Sequence, residues 1–347
     1  MANGSTIHEF ILLGFDVQHR TRFLFLGFLS ILYMLTLAEN ITIITVVSLD
    51  NHLAQLPMYI LLSNFSWMEM CYVTTTVPRM LSDLVSPYGI ISFPDCFLQF
   101  YFWFSLGSTE CFFLSAMALD RYLAICHPLR YPQLMTQHSC YALVGTCWVV
   151  GFLWFPIPVI LISKLSFCGP NIIDHFLCDS GPILSLACPP LGNAPFVLQT
   201  FTYALVSSNM FFVLLSYGFI ILNLIKTSNE ASRRKAISTI SFHIMVVTLF
   251  YGSVAAENFI PRGESRSEAT KAATFFYVAI TPLLNPLIYC LRNDQVKEAL
   301  VKMLQISKEI LGGVSAVQHD KEFASVFEYQ NTRPGPRGVQ SLCAGAN

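Results

Sequence analysis

The chain reads as an all-α integral membrane protein, a bundle of seven transmembrane helices followed by a short amphipathic helix. Three observations carry that expectation. Only 12% of the 347 residues are charged and 54% are hydrophobic, whereas a soluble domain carries about 25% charged residues. The mean hydropathy is clearly positive. Apolar runs long enough to cross about 30 Å of hydrocarbon, each needing roughly 20 residues, recur seven times. A net charge of −1 supplies no field that would gather nucleic acid, and that class of partner is excluded.

Each run is expected to be a helix, because water is absent at that depth and backbone amides must pair within their own segment. The runs lie near 23–49, 58–81, 96–122, 140–163, 196–225, 236–260 and 272–291. Residues 1–22 before them lack the basic start and apolar core of a cleavable signal, so the first helix is its own insertion signal. That helix holds Glu39, an ionisable group near mid-membrane that must neutralise or find a partner. The second run is less apolar, with Glu69 and Arg79 in or near it. The third ends in Asp120, Arg121 and Tyr122, a charge pair that needs water nearby or a task. The fourth, fifth and seventh contain no Asp, Glu, Lys or Arg. Arg233, Arg234 and Lys235, with Lys226, put a positive face before the sixth. In the seventh, Pro286 deprives a carbonyl one turn earlier of its donor and Pro282 adds a second break, which softens the helix.

After Arg292, the residues Val296, Leu300, Met303, Leu304 and Ile310 fall at roughly helical spacing opposite Lys297, Glu298, Lys302 and Lys308. That pattern predicts a helix over 292–311 lying on the membrane surface. Residues 312–347 turn polar and proline-containing, and a disordered tail is expected there.

Orientation follows from sulfur rather than from charge. Basic residues near the ends of the runs divide eight to seven between the two faces and decide nothing. Of the eleven cysteines, Cys168, Cys178 and Cys188 lie in the long loop 164–195 and Cys96 opens the third helix. Disulfides persist on the oxidising face, and a loop of that length is unusual unless functional or stapled. The four sulfurs allow three pairings, among which spacing does not choose. Arg121 follows Cys96 by 25 residues, roughly 37 Å of helix, so an external Cys96 places Asp120 and Arg121 in the cytoplasm. The N-terminus is then external, where Asn3-Gly4-Ser5 is an accessible glycosylation sequon, and the C-terminus is cytoplasmic. Cys71, Cys111, Cys147 and Cys290 lie inside apolar runs and read as free packing residues.

Five stretches carry a family resemblance: PMY at 57–59 with LSN at 62–64, MALDRYLAICHPLRY at 117–131, SY at 216–217, KAISTISFH at 235–243 and TPLLNPLIYCLRN at 281–293. Together they resemble the vertebrate olfactory receptors, within the rhodopsin-like G-protein-coupled receptors, over about residues 9–300. The chain departs from that pattern at Glu39, where the family has Gly, at Ile240, where it has Cys, at HLAQLPMY, which lacks the usual Leu-His pair before PMY, and in the long tail.

The resemblance implies disulfides Cys96–Cys178 and Cys168–Cys188. It implies a switch in which Asp120, Arg121 and Tyr122 latch the third helix against the sixth, while Tyr217, Asn285, Pro286 and Tyr289 rearrange. Related receptors hold a sodium ion near the region of Glu69 and Glu110, which two carboxylates would suit. The ligand site is expected in the outer half of the bundle. Phe104, Gly107, Ser108 and Cys111 recur at spacings of three and four and share one face. Comparison with the family adds Phe201, Leu205, Tyr251, Val254, Ala255, Asn258 and Val278.

With no acid within 101–109, that lining suits a small, mostly neutral, volatile organic ligand. About ten heavy atoms at roughly 0.3–0.6 kcal/mol each give some 3–6 kcal/mol, hence micromolar affinity or weaker. The implied function is an odorant receptor acting on a stimulatory heterotrimeric G protein in the lipid bilayer and raising cAMP, with no cofactor and no chemistry on the ligand. Alternatives are the same fold sensing a metabolite outside the nose, and a transporter with ion sites at Glu39, Glu69 and Glu110. The latter is opposed by the odd helix count and the lack of an internal repeat.

Overall fold

The computed structural model describes residues 7–15, 19–86, 88–226, 230–259, 266–290, 295–303 and 305; at a few helical positions, among them 256–259, 287, 289 and 290, only the backbone is described. The chain divides into two units, Met1–Val296 and Lys297–Asn347. In the second, residues 297–303 and 305 are helical. The sequon at Asn3 and the tail 312–347 lie outside the described residues.

Strand β1 (Glu9–Leu12) is followed by α1 (His19–Leu49). Several polar side chains of α1 are turned onto its own backbone: Thr36, Asn40, Thr42 and Thr45 each donate to the carbonyl four residues earlier, which gives those donors an acceptor without a neighbouring helix. Its outward face is bare, with Phe23 65% and Leu24 74% exposed, as expected of a helix solvated by lipid rather than water. Glu39 is half-buried, and its Oε2 is buried without a hydrogen-bond partner.

Pro57 starts α2 (Pro57–Val85), its missing N–H falling where a helix has no acceptor to offer. Strand β2 (Gly89–Ser92) leads directly into α3 (Phe93–Cys126), where the Ser92 hydroxyl accepts from the Asp95 amide at 3.2 Å and caps the first turn. In the best apolar window of α3, 72% of residues are buried, against 11% in α1, so α3 is the central post and α1 is peripheral. After the short α4 (Tyr131–Leu134), α5 (Gln137–Trp154) is interrupted at Phe155 and continues as α6 (Pro156–Ser163). Gly151 of α5 permits the closest approach to α3: a Cβ there would lie 2.1 Å from Thr109 Oγ1.

The remaining long helices follow the loop 164–195, which holds the short α7 (Ser180–Ser185). They are α8 (Ala194–Lys226), α9 (Glu230–Phe259), α10 (Arg266–Phe275) and α11 (Thr281–Cys290), the last two joined by a π-helical turn, Phe276–Ile280. Among the described residues, four helical stretches are long and apolar enough to cross a membrane: Thr21–Leu49, Phe93–Cys126, Gln137–Ser163 and Ala194–Lys226. The other three expected runs are helical but do not qualify. Glu69, Arg79 and Asp83 dilute α2, the first turns of α9 are charged so that its apolar part shortens to His243–Ala255, and the π turn divides the last helix.

The expectation of a purely α-helical chain is corrected at the end of the bundle that carries the disulfides. The loop 164–195 also contains β3 (Ile172–Ile173), and the N-terminal segment forms the centre of a small sheet of order β2-β1-β3. Strand β1 runs antiparallel to β2, with Phe10 opposite Ile91, and parallel to β3, with Ile11 opposite Ile172. Four residues of β1 are too short to register against the helix signal, yet Phe10 is fully buried against Phe93 and Phe167. Disulfides Cys96–Cys178 and Cys168–Cys188 staple the loop to α3 and to itself. Cys71, Cys111, Cys126, Cys140 and Cys147 are free; the Cys290 side chain lies outside the described residues.

Candidate functional site

Under the stapled loop lies a cavity of about 850 Å³, within the range of small-molecule sites. Its floor is aromatic and aliphatic: Tyr72, Trp103, Phe104, Phe155, Leu205, Phe250 and Tyr277, with Gly107, Ser108 and Cys111 of α3 between them. Its roof is polar and comes from the loop, with Asp174, His175, Asp179 and Ser180. The Ser108 hydroxyl donates to the Phe104 carbonyl at 2.7 Å, which leaves its oxygen as an acceptor on the wall.

The roof is locked to the last helix by charge. Lys271 Nζ donates to Asp174 Oδ1 at 2.7 Å and Glu268 Oε1 at 2.8 Å, with the lysine side chain only 3% exposed. Burial pulls the ammonium toward its neutral form, but the two carboxylates more than offset it and raise its pKa. Burial holds the His175 imidazole down to about 3, the Lys271 ammonium acting in the same direction and Asp174 opposing it. Its Nδ1 accepts from the Leu177 amide at 3.3 Å, which requires the neutral ring with its proton on Nε2. Burial also raises the carboxyl pKa of Asp179 against the amides of Ser180 and Gly181.

Below the cavity, two fully buried acids face the last helix. Glu110 Oε2 accepts from the Tyr277 hydroxyl at 3.1 Å, and Glu69 Oε1 accepts from Asn285 Nδ2 at 2.5 Å. The second oxygen of each carboxyl is buried without a partner. Among the described residues no group of three metal-ligating side chains is assembled. The Ser115 hydroxyl donates to Asn209 Oδ1 at 2.6 Å and ties α3 to α8.

Near the C-terminal end of α3, Asp120 is buried and accepts from the Tyr131 hydroxyl at 2.7 Å, with Arg121 Nε 4.0 Å from its other oxygen. The Arg121 guanidinium also meets the sulfur of Met58 on α2. Beside it the Tyr217 hydroxyl of α8 meets His243 Nδ1 of α9. Tyr122 reaches His127 Nε2 at 3.1 Å.

A cavity of small-molecule size, a buried acid pair and an arginine near the C-terminal end of α3 are thus arranged along one helix, and the sequence comparisons give the family. The profile described as Olfactory receptor matches residues 29–307. The chain belongs to the olfactory receptor family. Olfactory receptor 11G2 of Homo sapiens is 49% identical over 301 residues, 87% of this chain and 87% of that protein. Olfactory receptor 11H6 of the same species is 48% identical over 301 residues, covering 87% and 91% of the two chains, and Olfactory receptor 11H4 is 46% identical over 305, covering 87% and 94%. Membership makes this chain an odorant receptor of the multi-pass membrane kind, acting in signal transduction and not as an enzyme.

Of the ligand residues expected for such a receptor, Phe104, Gly107, Ser108, Cys111, Leu205 and Val254 line the cavity. Four others do not, among the described residues. Phe201 turns its ring to Trp154, 6.0 Å away. Tyr251 packs edge-on to Phe250 at 5.0 Å and Ala255 is half-buried beyond it. Val278 is fully buried in the helix bundle. The reason is helical phase: Phe250 and Val254 share a face four residues apart, and Tyr251 and Ala255 lie about 100° round from them. Likewise the π turn presents Tyr277 in place of Val278. The side chains of Asn258 and Tyr289 lie outside the described residues. Trp103 was legible as one turn before Gly107, but the roof residues carry no periodic signal.

The expected latch from Arg121 to the sixth helix falls largely outside the described residues, since most side chains in the first turns of α9 are not among them. Among the described residues Arg121 pairs with Asp120 and meets Met58 on α2, with Tyr217 of α8 and His243 of α9 close enough to feel its charge. A link between α8 and α9 runs through Tyr217 and His243. Helix order cannot tell which of two flanking helices a terminal arginine reaches.

Proposed function

We propose that this receptor is a seven-span bundle with its N-terminus outside and its C-terminus in the cytoplasm. It binds small, mostly neutral volatile molecules in the outer cavity and activates a stimulatory heterotrimeric G protein, raising cAMP. The observation that carries this reading is the cavity of about 850 Å³ beneath a disulfide-stapled roof, with Gly107 opening its floor. Family membership supports it and gives the transporter alternative no support. The three less apolar helices supply the remaining spans, their charges sitting at helix ends, as Arg79 does with Asp83 at 2.9 Å, or inside the bundle, as Glu69 and Glu110 do. The buried acid pair is the site where a sodium ion would be held.

Ligand contact shifts α9 and the last helix relative to α3, and Asp120, Arg121, Tyr217, Asn285, Pro286 and Tyr289 are the residues that rearrange. The basic stretch Arg233–Lys235 and the helix over 292–311 meet the G protein and the inner leaflet. Cells expressing the full chain with a stimulatory G protein, screened against a volatile panel, should give a cAMP response. That response should disappear in Arg121→Ala at equal surface abundance. Silence across the panel, or a response indifferent to Arg121, would refute the reading. Loss of a glycan on Asn3→Gln, read by gel mobility after glycosidase, tests the orientation.

A further inference from the structure

We propose that Tyr277 is the positioning residue through which occupation of the outer cavity is felt at the buried acids, a role that rests on the ligand reading of that cavity. The tyrosine belongs to both places. It is part of the cavity wall, and its hydroxyl donates to Glu110 Oε2 at 3.1 Å. Its ring is held between Tyr72, with centroids 5.3 Å apart, and Phe250, at 5.6 Å. Opposite stands Gly107, where a Cβ would come within 3.3 Å of the Tyr277 hydroxyl oxygen. The absent side chain leaves the hydroxyl uncrowded as it passes α3 toward the acid below.

The backbone around Tyr277 is suited to movement. Residues Phe276–Ile280 form the π-helical turn, a local widening of the helix found disproportionately at working positions. The segment that follows is tied to the other acid, since Asn285 donates to Glu69. Hydrogen bonds to α3 through Glu110 and to α2 through Glu69 therefore tie the last helix to the centre of the bundle. Glu110 has its second oxygen buried without a partner, so losing the tyrosine proton leaves its carboxyl stranded. A ligand settling against Gly107 competes for the space of the hydroxyl, or offers that hydroxyl an oxygen of its own. Either event breaks the Tyr277–Glu110 bond and releases the π turn from α3. Tyr277 thus sets how strongly the resting arrangement is held, without touching the cytoplasmic face.

The test uses the full-length receptor with Tyr277→Phe, which keeps the ring and removes the hydroxyl. In purified receptor in lipid nanodiscs, hydrogen–deuterium exchange should quicken across 276–285 while residues 96–120 of α3 keep their protection. In cells with a stimulatory G protein, ligand-free cAMP normalised to surface abundance should rise about two- to tenfold, the range a single released hydrogen bond allows. Glu110→Leu should raise it similarly, and the double variant no further than Tyr277→Phe alone, because both substitutions remove the Tyr277–Glu110 bond. Unchanged exchange across 276–285, a rise that spreads to α3, or additive effects in the double variant would overturn the proposal. If wild type ignores every volatile while the exchange pattern appears as described, the ligand reading fails and the Tyr277–Glu110 tie stands. If wild type responds to volatiles but Tyr277→Phe changes neither readout, the tie is wrong and the ligand reading stands.

Discussion

Acidification should loosen the outer face of this receptor through one imidazole. His175 is 2% exposed, and burial together with the Lys271 ammonium lowers its pKa to about 3, from an ordinary value near 6.5. A histidine depressed in the folded state stays neutral there, while the unfolded chain takes up a proton below about pH 6.5. The unfolded state then binds more protons, so the stability this residue lends is complete above pH 6.5 and falls as pH drops toward the folded value. Between pH 7.5 and 5.0 the loss works out at about 2 kcal/mol, or several degrees in melting temperature. The assay is thermal unfolding of the receptor in lipid nanodiscs at the two pH values, for wild type and for His175→Phe. The phenylalanine keeps an aromatic ring beside Phe176, whose centroid lies 4.5 Å away, and cannot titrate. Wild type should lose more stability on acidification than the variant by about that amount. Asp179 and the other acids contribute equally to both proteins and cancel. Equal losses in the two proteins would refute the argument.

Other outcomes follow from packing and charge elsewhere in the bundle. Gly151→Ala should lower stability by about 3 kcal/mol and surface abundance with it, because the new methyl meets Thr109 Oγ1 at 2.1 Å and the Thr109 main chain at 2.8 Å; Thr109→Ala should restore only part, since trimming the side chain leaves the main-chain clash in place. In the Lys271 cluster, Asp174→Asn with Glu268→Gln should cost about 3–5 kcal/mol by stranding a buried ammonium. Lys271→Met should cost nearer 1 kcal/mol, because the abandoned carboxylates are 53% and 60% exposed and water can solvate them; melting curves of the two variants give the ranking. Leu205→Trp, on the cavity wall, should cut the response to bulky volatiles at least tenfold more than to small ones in a dose–response series.

Much of the design is legible in the order of residues. The helices over 19–49, 93–126, 137–163 and 194–226 follow from apolar length, because a segment in hydrocarbon has no way other than a helix to satisfy its own amides. The face of α3 that carries Phe104, Gly107, Ser108 and Cys111 could be read from their spacing, since the helical period converts sequence distance into angle. Family wording reached further, to the two disulfides that the spacing of four cysteines left open.

What lay beyond the one-dimensional pattern was every choice between neighbours. Whether α9 offers the cavity Phe250 or Tyr251 depends on the rotation of a helix whose faces are all apolar, so hydrophobicity alone leaves its phase undetermined. Whether Arg121 leans on α2 or α9 depends on which flanking side chain arrives within reach. The pairing of β1 with segments some 80 and 160 residues away leaves no local trace, because four residues carry too little periodic signal. The sequence by itself determined that the chain enters a membrane as helices and which family it belongs to, since both rest on local composition and wording. Only the tertiary structure decided that Tyr277, Gly107 and Glu110 meet: the hydrogen bond from Tyr277 to Glu110 joins residues 167 positions apart, and contacts between segments so distant are set by how the helices pack, which leaves no local pattern in the chain.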